Sequence, residues 1–137
     1  ARRLAAERDV TIDARVADLA QFDLGDAAWD CIVSIFCHLP ATLRHAVHSA
    51  VPRALRPGGC FVFEAYRKAN IGRGVGGPQS AEMTVELEEL LVDIGVDGQM
   101  QIIIGREVER NIIEGKYHDG MSATTQLLAR RSTDPHR

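Results

Sequence analysis

Four groups of polar and aromatic residues come at or after the end of an apolar stretch. They are Asp18-Leu19, Phe36-Cys37-His38, Glu64-Ala65-Tyr66 and Tyr117-His118. Carboxylates, thiols and imidazoles can accept hydrogen bonds, move a proton or attract a charge. Because open α/β sheets bind ligands at the carboxyl edge of their parallel strands, we expect these groups to share that edge.

The apolar periodicity predicts the elements that position these groups. It indicates helices over residues 2–8, from Pro40 to Leu55 and from an N-cap at Thr84 to Ile94, and strands over Val10–Val16, Cys31–Phe36, Cys60–Phe63, Met100–Ile112 and Met121–Arg131. Pro52 is expected either to kink or to shorten its helix. The last two strands are expected to pair antiparallel. Alternating helices and buried strands indicate one α/β domain over residues 1–131, followed by a polar tail over 132–137.

Composition excludes several classes of partner. The net charge of −3 over 137 residues provides no basic surface for nucleic acid or anionic lipid. The longest apolar runs are too short to cross a bilayer, and the charged N-terminus lacks the apolar region of a secretory signal. Three cysteines without metal-like spacing favour free thiols, no metal site and a cytoplasmic location.

Four landmarks in chain order carry a family resemblance. They are Ala17-Asp18-Leu19, Trp29-Asp30, Leu55-Arg56-Pro57-Gly58-Gly59 and the terminal strand pair. Together they resemble the second half of class I S-adenosylmethionine (SAM)-dependent methyltransferases. Residues 36–40 and 114–120 resemble a bacterial branch that includes tellurite-resistance and thiopurine methyltransferases. The resemblance implies a Rossmann-like fold with a mainly parallel sheet, a C-terminal antiparallel strand pair, and SAM as cofactor.

The resemblance also implies roles for the residues that follow the first two strands. In the family, the carboxylate at Asp18 accepts from the adenine amine and the Leu19 N–H faces a ring nitrogen. The purely structural alternative is that Asp18 starts a turn. Phe36 and Cys37 are expected to contact SAM, although Cys37 could equally be a small buried apolar residue. His38 is expected either to line the substrate pocket or to cap the next helix.

The remaining candidates concern the methyl acceptor. Glu64 and Tyr66 are placed in the substrate pocket, where the carboxylate could orient a substrate or attract the sulfonium, or else cap a neighbouring helix. His118, with Tyr117 beside it, matches a histidine of the tellurite-resistance relatives that is thought to serve the substrate. It could accept a proton or, as imidazolium, attract an oxyanion; the alternative is a solvated histidine in a turn.

The family's SAM-binding Gly-x-Gly loop and the acidic residue that holds the ribose do not occur in this sequence. Residues 72–78 are glycine-rich but have the spacing of neither a phosphate loop nor a dinucleotide fingerprint, and they are predicted to form a mobile loop over the site. One strand–helix–strand unit is therefore expected to be missing upstream. Strand edges left exposed predict a homodimer or poor solubility.

Methyl transfer to a small molecule is the expected function. A soft acceptor, such as a thiol or a selenium or tellurium species, fits best because it needs little help from a base. The sequence also has no Asn-Pro-Pro-Tyr-like motif after Phe36. The alternative is a truncated fragment that cannot bind the cofactor and acts at most as an interaction module.

Overall fold

The computed structural model describes residues 1–74, 76–95, 99–113, 115 and 119–133. Its strands are β1 (Trp29–Ile35), β2 (Leu55–Tyr66), β3 (Met100–Ile113) and β4 (Asp119–Arg131). Its α-helices are α1 (Arg2–Glu7), α2 (Ala41–Ser49), α3 (Val51–Ala54) and α4 (Leu87–Asp93). Two short 3₁₀ turns, Lys68–Asn70 and Ala81–Met83, lie in the connection between β2 and α4.

The four strands form one sheet in the order β1-β2-β4-β3. β1 and β2 run parallel, whereas β4 pairs antiparallel with both β2 and β3. The predicted α/β fold and the antiparallel pairing of the last two strands are confirmed. Within the described residues, the parallel part of the sheet is limited to β1 and β2.

The prediction of a strand over Val10–Val16 is wrong, because the described structure has no strand there. Val10 is 55% exposed and Val16 is fully exposed at 106%. A β-strand is stabilised by ladder hydrogen bonds and cross-strand side chains, and this segment pairs with none of the four described strands. Its alternating pattern alone therefore does not produce a strand.

The two faces of the sheet differ in what covers them. Phe61 and Phe63 of β2 and Leu127 of β4 point to one face, where they pack with buried Val51 of α3, Leu90 of α4 and Ile94, which follows α4. The other side, here called the open face, carries the alternate residues of β1 and β2: Cys31, Val33, Ile35, Cys60, Val62 and Glu64. All of these are exposed or half-buried.

Helix boundaries differ in detail from the sequence predictions. The run after Pro40 is divided, because α2 ends at Ser49 and α3 begins at Val51 with Pro52 in its first turn. Pro52 has no N–H to donate to a carbonyl of the preceding turn, so it shortens the helix. The N-cap of α4 is Glu86 and not Thr84; its N–H donates to Glu89 Oε2 at 3.0 Å.

The Leu-Arg-Pro-Gly-Gly motif forms an irregularity at the start of β2. The register passes from Trp29↔Leu55 to Cys31↔Cys60, so β2 has extra residues there. A Cβ at Gly59 would lie 3.1 Å from Asp30 O and 3.2 Å from Trp29 O, so a glycine is required where β2 approaches β1. No helix among the described residues is long and apolar enough to span a membrane.

Candidate functional site at the carboxyl edge of the parallel strands

The carboxyl ends of β1 and β2 meet where Phe36 follows β1. The Phe36 N–H donates to Glu64 O at 2.8 Å, which continues the parallel ladder by one residue. Phe36 has a positive φ of 49°, an uncommon conformation for a residue with a side chain. This conformation turns the chain out of β1 and carries Cys37 and His38 across the end of β2. Such local strain is concentrated at functional sites.

Three of the predicted residues form an aromatic cluster at this edge. The ring of Tyr66 stacks on Phe36 with centroids 4.9 Å apart and on His38 at 5.4 Å. The rings of His38 and Tyr66 are nearly parallel, at 12°. Tyr66 is buried, whereas Phe36 and His38 are partly exposed. The structure therefore brings one cofactor candidate and two substrate-pocket candidates into a single aromatic cluster.

His38 connects this cluster to the second 3₁₀ turn. Its Nδ1 lies 3.1 Å from Met83 O. A carbonyl oxygen can only accept, so Nδ1 is the donor and, in the neutral ring, Nε2 carries the lone pair. The N-cap of α2 is Pro40, and α2 has no side-chain capping hydrogen bond. Of the two alternatives for His38, the cap on the following helix is therefore wrong.

Glu64 is held by side chains from two other strands. Arg110 of β3 donates from Nε to Oε1 at 2.8 Å and from Nη2 to Oε2 at 3.0 Å. Thr124 and Gln126 of β4 each donate to Oε1 at 3.0 Å. The carboxylate thus connects β2 to β3 and β4, and the side chains that donate to it lie on strands and not at a helix terminus.

These contacts set the protonation of Glu64. Burial alone would raise its pKa, but hydrogen bonds from Arg110, Gln126 and Thr124 and the charge of Arg110 outweigh burial and lower the pKa below its usual 4.5. A carboxylate with a lowered pKa is a weak base. Its negative charge is also matched by the Arg110 guanidinium. Glu64 is therefore suited to positioning and poorly suited to proton abstraction.

The glycine-rich segment packs on the aromatic cluster. A Cβ added to Gly77 would lie 2.6 Å from Cδ2 of Tyr66, so the backbone of this segment lies directly on the tyrosine ring. Buried Asn70 anchors the segment: its Nδ2 donates to Gly76 O at 3.0 Å, and its Oδ1 accepts from the Ala123 N–H at 3.0 Å. The described residues of this loop therefore pack on Tyr66 at the predicted edge, and its role as a mobile loop over the site stays a prediction.

Cys37 lies at the same edge and is half-buried. Burial raises the pKa of its thiol, because a thiolate is poorly solvated there. Cys37 therefore remains a neutral thiol near neutral pH and is not an activated nucleophile. Its side chain can offer a ligand a small, polarisable contact.

Solved structures share this arrangement of strands and helices. TehB from Haemophilus influenzae superposes with a TM-score of 0.70 at 15% identity, over 96% of this chain and 45% of its own. A SAM-dependent methyltransferase from Methanosarcina mazei gives 0.60 at 15% identity, over 88% and 67%. A protein studied for the conversion of a disulfide bond into a thioacetal group during echinomycin biosynthesis gives 0.68 at 16% identity, over 97% and 61%.

The chain has the fold of SAM-dependent methyltransferases. It matches no protein-family model, and no curated protein matches its sequence. It spans 61% of the echinomycin-pathway protein and 45% of TehB. The methyltransferase fold is thus established from structure, over less than two thirds of those two chains.

In this methyltransferase fold, Asp18 begins a turn. Its Oδ1 accepts from the Ala20 N–H at 3.0 Å, as expected if Asp18 starts a turn. Oδ2 has a long contact of 3.4 Å with Gln21 Nε2, so this exposed oxygen retains capacity to accept from a ligand amine. Leu19 lies in a small apolar cleft with Leu43 and Val47 of α2, the helix that begins after Cys37 and His38.

The remaining predicted residues, Tyr117 and His118, lie outside the described residues. The strands β3 and β4, which precede and follow them in the chain, are paired up to Ile113↔Asp119. Their assignment to the substrate pocket and to catalysis stays a prediction.

Sequence reasoning missed four residues of the site: Asn70, Arg110, Thr124 and Gln126. Arg110 and Gln126 lie on strands that the sequence predicted, but nothing in the pattern indicated that they reach Glu64. Their sequence separations from Glu64 are 46 and 62 residues, so the contact depends on β4 lying between β2 and β3. The strand order would have been needed to find them.

Proposed function

We propose that this chain forms part of a SAM-dependent methyltransferase that acts on a small molecule with a soft nucleophilic atom. The observation that carries the proposal is the site at the carboxyl edge of β1 and β2, on a methyltransferase fold. Phe36, Cys37 and His38 lie there beside Glu64 and Tyr66. Ligands of open α/β sheets bind at this edge.

SAM would supply an activated methyl group, since its sulfonium is already a good leaving group. Asp18 would accept the adenine amine through Oδ2, and the Leu19 N–H would face the ring, as the family resemblance implies. Phe36 and Cys37 would contact the cofactor from the end of β1. The residues present fit these roles in type, because the Asp18 oxygen is exposed and the Cys37 thiol is neutral and half-buried.

The acceptor would lie against the aromatic cluster. Phe36 and His38 offer apolar, polarisable surfaces, and the segment anchored by Asn70 shields the cluster from water on one side. Glu64 is paired with Arg110 and is a weak base, so this edge favours an acceptor that needs little deprotonation. Thiols and selenium or tellurium anions meet that condition. His118 would take a proton where the acceptor carries one.

Two of the similar structures support a soft acceptor. The echinomycin-pathway protein is associated with sulfur chemistry, and TehB belongs to the tellurite-resistance proteins whose motifs residues 36–40 and 114–120 resemble. Folds host many reactions, so the likeness supports the acceptor class only together with the chemistry of the edge.

Calorimetric titration of the purified chain with SAM tests the cofactor half of this proposal. We expect binding that is weakened by Asp18→Asn. Asp13→Asn, which alters an exposed carboxylate of the same segment, is the matched control and should leave the affinity unchanged. Absence of both heat and a thermal shift at millimolar SAM would refute the proposal for this chain and favour the alternative of a fragment that acts at most as an interaction module.

A pair of acceptors that differ in one atom tests the acceptor half. S-adenosylhomocysteine formation should be faster with 2-mercaptoethanol than with ethylene glycol, and faster still when the thiol is more ionised. Equal rates with the thiol and the alcohol would overturn the assignment of a soft acceptor. They would leave the methyltransferase assignment intact.

A further inference from the structure

Two of the three cysteines are direct neighbours in the sheet. Cys31 of β1 and Cys60 of β2 are partners in the parallel register. Both belong to the open face: Cys31 is exposed and Cys60 is half-buried. The site proposed for methyl transfer lies at the other end of these strands, after Ile35 and Tyr66. The pair is not among the residues proposed for that function.

The spacing of the strands decides what could bridge the two sulfurs. Side chains that leave parallel strands at the same register run side by side, so their Cβ atoms stay about as far apart as the strands, roughly 4.7–4.9 Å. A disulfide needs Cβ atoms about 3.5–4.5 Å apart. A direct S–S bond would therefore require the two strands to move together.

A metal ion between the sulfurs removes that requirement. A metal–thiolate bond is about 2.3 Å long for zinc, so two collinear bonds of similar length separate the sulfurs by about 4.6 Å. This span is close to the strand spacing. Within the described part of the chain, no group of three or more His, Cys, Asp or Glu residues is arranged to hold a metal ion. A site made of Cys31 and Cys60 alone would therefore suit only a cation that binds with two ligands.

We propose that Cys31 and Cys60 form a two-coordinate binding site for a soft monovalent cation of the Cu(I) or Ag(I) type. Thiolates select such cations over hard ones. Binding forms two metal–sulfur bonds and releases the two thiol protons to solvent, with no change in oxidation state. The bridged site then carries one net negative charge. Arg130, the β4 partner of Cys60 in the register, supplies a neighbouring positive charge.

Silver ion is a suitable probe because it requires no reductant. Titration of the full chain with silver nitrate in chloride-free buffer at pH 6 should show one tight site and the release of about two protons per cation, since thiols are ordinarily protonated there. Cys31→Ser and Cys60→Ser should each weaken binding by at least about tenfold, and Cys37→Ser should retain it.

Cys60→Ala provides a second variant in case serine is not tolerated at a half-buried position, and circular dichroism checks that each variant is folded. Tight binding that survives in the Cys31→Ser/Cys60→Ser double variant would overturn the proposal. A loss of affinity in Cys37→Ser equal to that in Cys31→Ser would also overturn it, and so would release of a single proton per cation.

Discussion

Arg110 holds Glu64 at two points although their strands are not neighbours in the sheet. The guanidinium of β3 reaches over β4 to the carboxylate of β2, with N···O distances of 2.8 and 3.0 Å. Thr124 and Gln126 of the intervening strand donate to the same carboxylate. One side chain therefore ties three strands together beside the proposed site.

Glu64→Gln should destabilise the fold by about 1–3 kcal/mol, because it removes the charge from a set of hydrogen bonds to a carboxylate. The pKa of Glu64 is lowered, so its contribution is present above the unfolded pKa near 4.5 and is lost as the pH falls through the lower folded value. Urea unfolding at pH 7 and pH 3 should show a difference between wild type and variant that shrinks at pH 3.

An exposed ion pair provides the matched control for this prediction. Arg56 Nη1 lies 2.7 Å from Asp30 Oδ2, but the two side chains are 52% and 81% exposed, respectively. Asp30→Asn should therefore change the free energy of unfolding at pH 7 by at most about 1 kcal/mol. An Asp30→Asn effect as large as that of Glu64→Gln would contradict the account given for Glu64.

Because of His48, we expect the protein to lose stability in mild acid. The His48 side chain is 2% exposed and packs against Phe61 and Phe63. Burial lowers its pKa to about 4, and the charge of Asp93 offsets part of this decrease. His48 Nδ1 lies 3.6 Å from Asp93 Oδ2, too far for a hydrogen bond. Arg44 and His45 are also close to Asp93, and their charges disfavour the protonated ring.

Because the folded pKa lies below the unfolded one, the unfolded chain binds more protons between about pH 6.5 and pH 4. The free energy of unfolding should therefore decrease as the pH falls through this window, by on the order of 3 kcal/mol from this group. His48→Gln should make the free energy of unfolding nearly independent of pH in that window. His45→Gln, at a largely exposed position, should preserve most of the pH dependence. Urea unfolding at half-unit pH steps measures both. Parallel curves for wild type and His48→Gln would exclude this role.

The contact between the glycine-rich segment and the Tyr66 ring can be tested with two glycines of that segment. Gly77 (φ 86°) and Gly74 (φ 72°) both have backbone angles that L-residues rarely adopt. A Cβ at Gly77 would press on the Tyr66 ring, whereas a Cβ at Gly74 would meet nothing within 4 Å. Gly77→Ala should therefore disturb the aromatic cluster, while Gly74→Ala adds only the backbone strain, about 1–2 kcal/mol.

In kinetics, Gly77→Ala should raise the KM for the methyl acceptor, and Gly74→Ala should leave it near the wild-type value. Thermal unfolding of both variants separates the shared strain from the contact with Tyr66. Equal KM values in the two variants would show that the segment does not position the cluster.

The sequence predicted the strands that contain a continuous apolar run and the two C-terminal strands that are close enough in sequence to pair. β1, the second half of β2 and the β3–β4 hairpin follow directly from apolar runs. Val10–Val16 has an equally clear alternation but pairs with none of the described strands and forms no strand. The site was predicted where residues follow a strand, as at Phe36 and Glu64, and was missed where a contact depends on the order of strands, as at Arg110.

One edge of β1 pairs with no other strand in the described part of the chain, and this edge leads to the last prediction. From Cys31 to Ile35 this edge strand carries no charge, and Val33 is 62% exposed. The opposite edge strand, β3, has charged residues at Arg106, Glu107, Glu109 and Arg110, and charge protects an edge from pairing. Residues 31–35 of β1 lack that protection.

We propose that a second copy of this chain covers the β1 edge. Antiparallel pairing of two β1 strands about a twofold axis would bring uncharged residues against one another and join the two sheets. Sedimentation velocity over a range of concentrations should show a dimer. Val33→Lys should weaken it, because lysine on an edge strand opposes pairing. Val92→Lys, at a 68% exposed position on α4, is the matched control and should leave the dimer intact. A wild-type chain that stays monomeric at every concentration would refute this interface, and equal weakening by both lysines would show that the effect is not specific to the β1 edge.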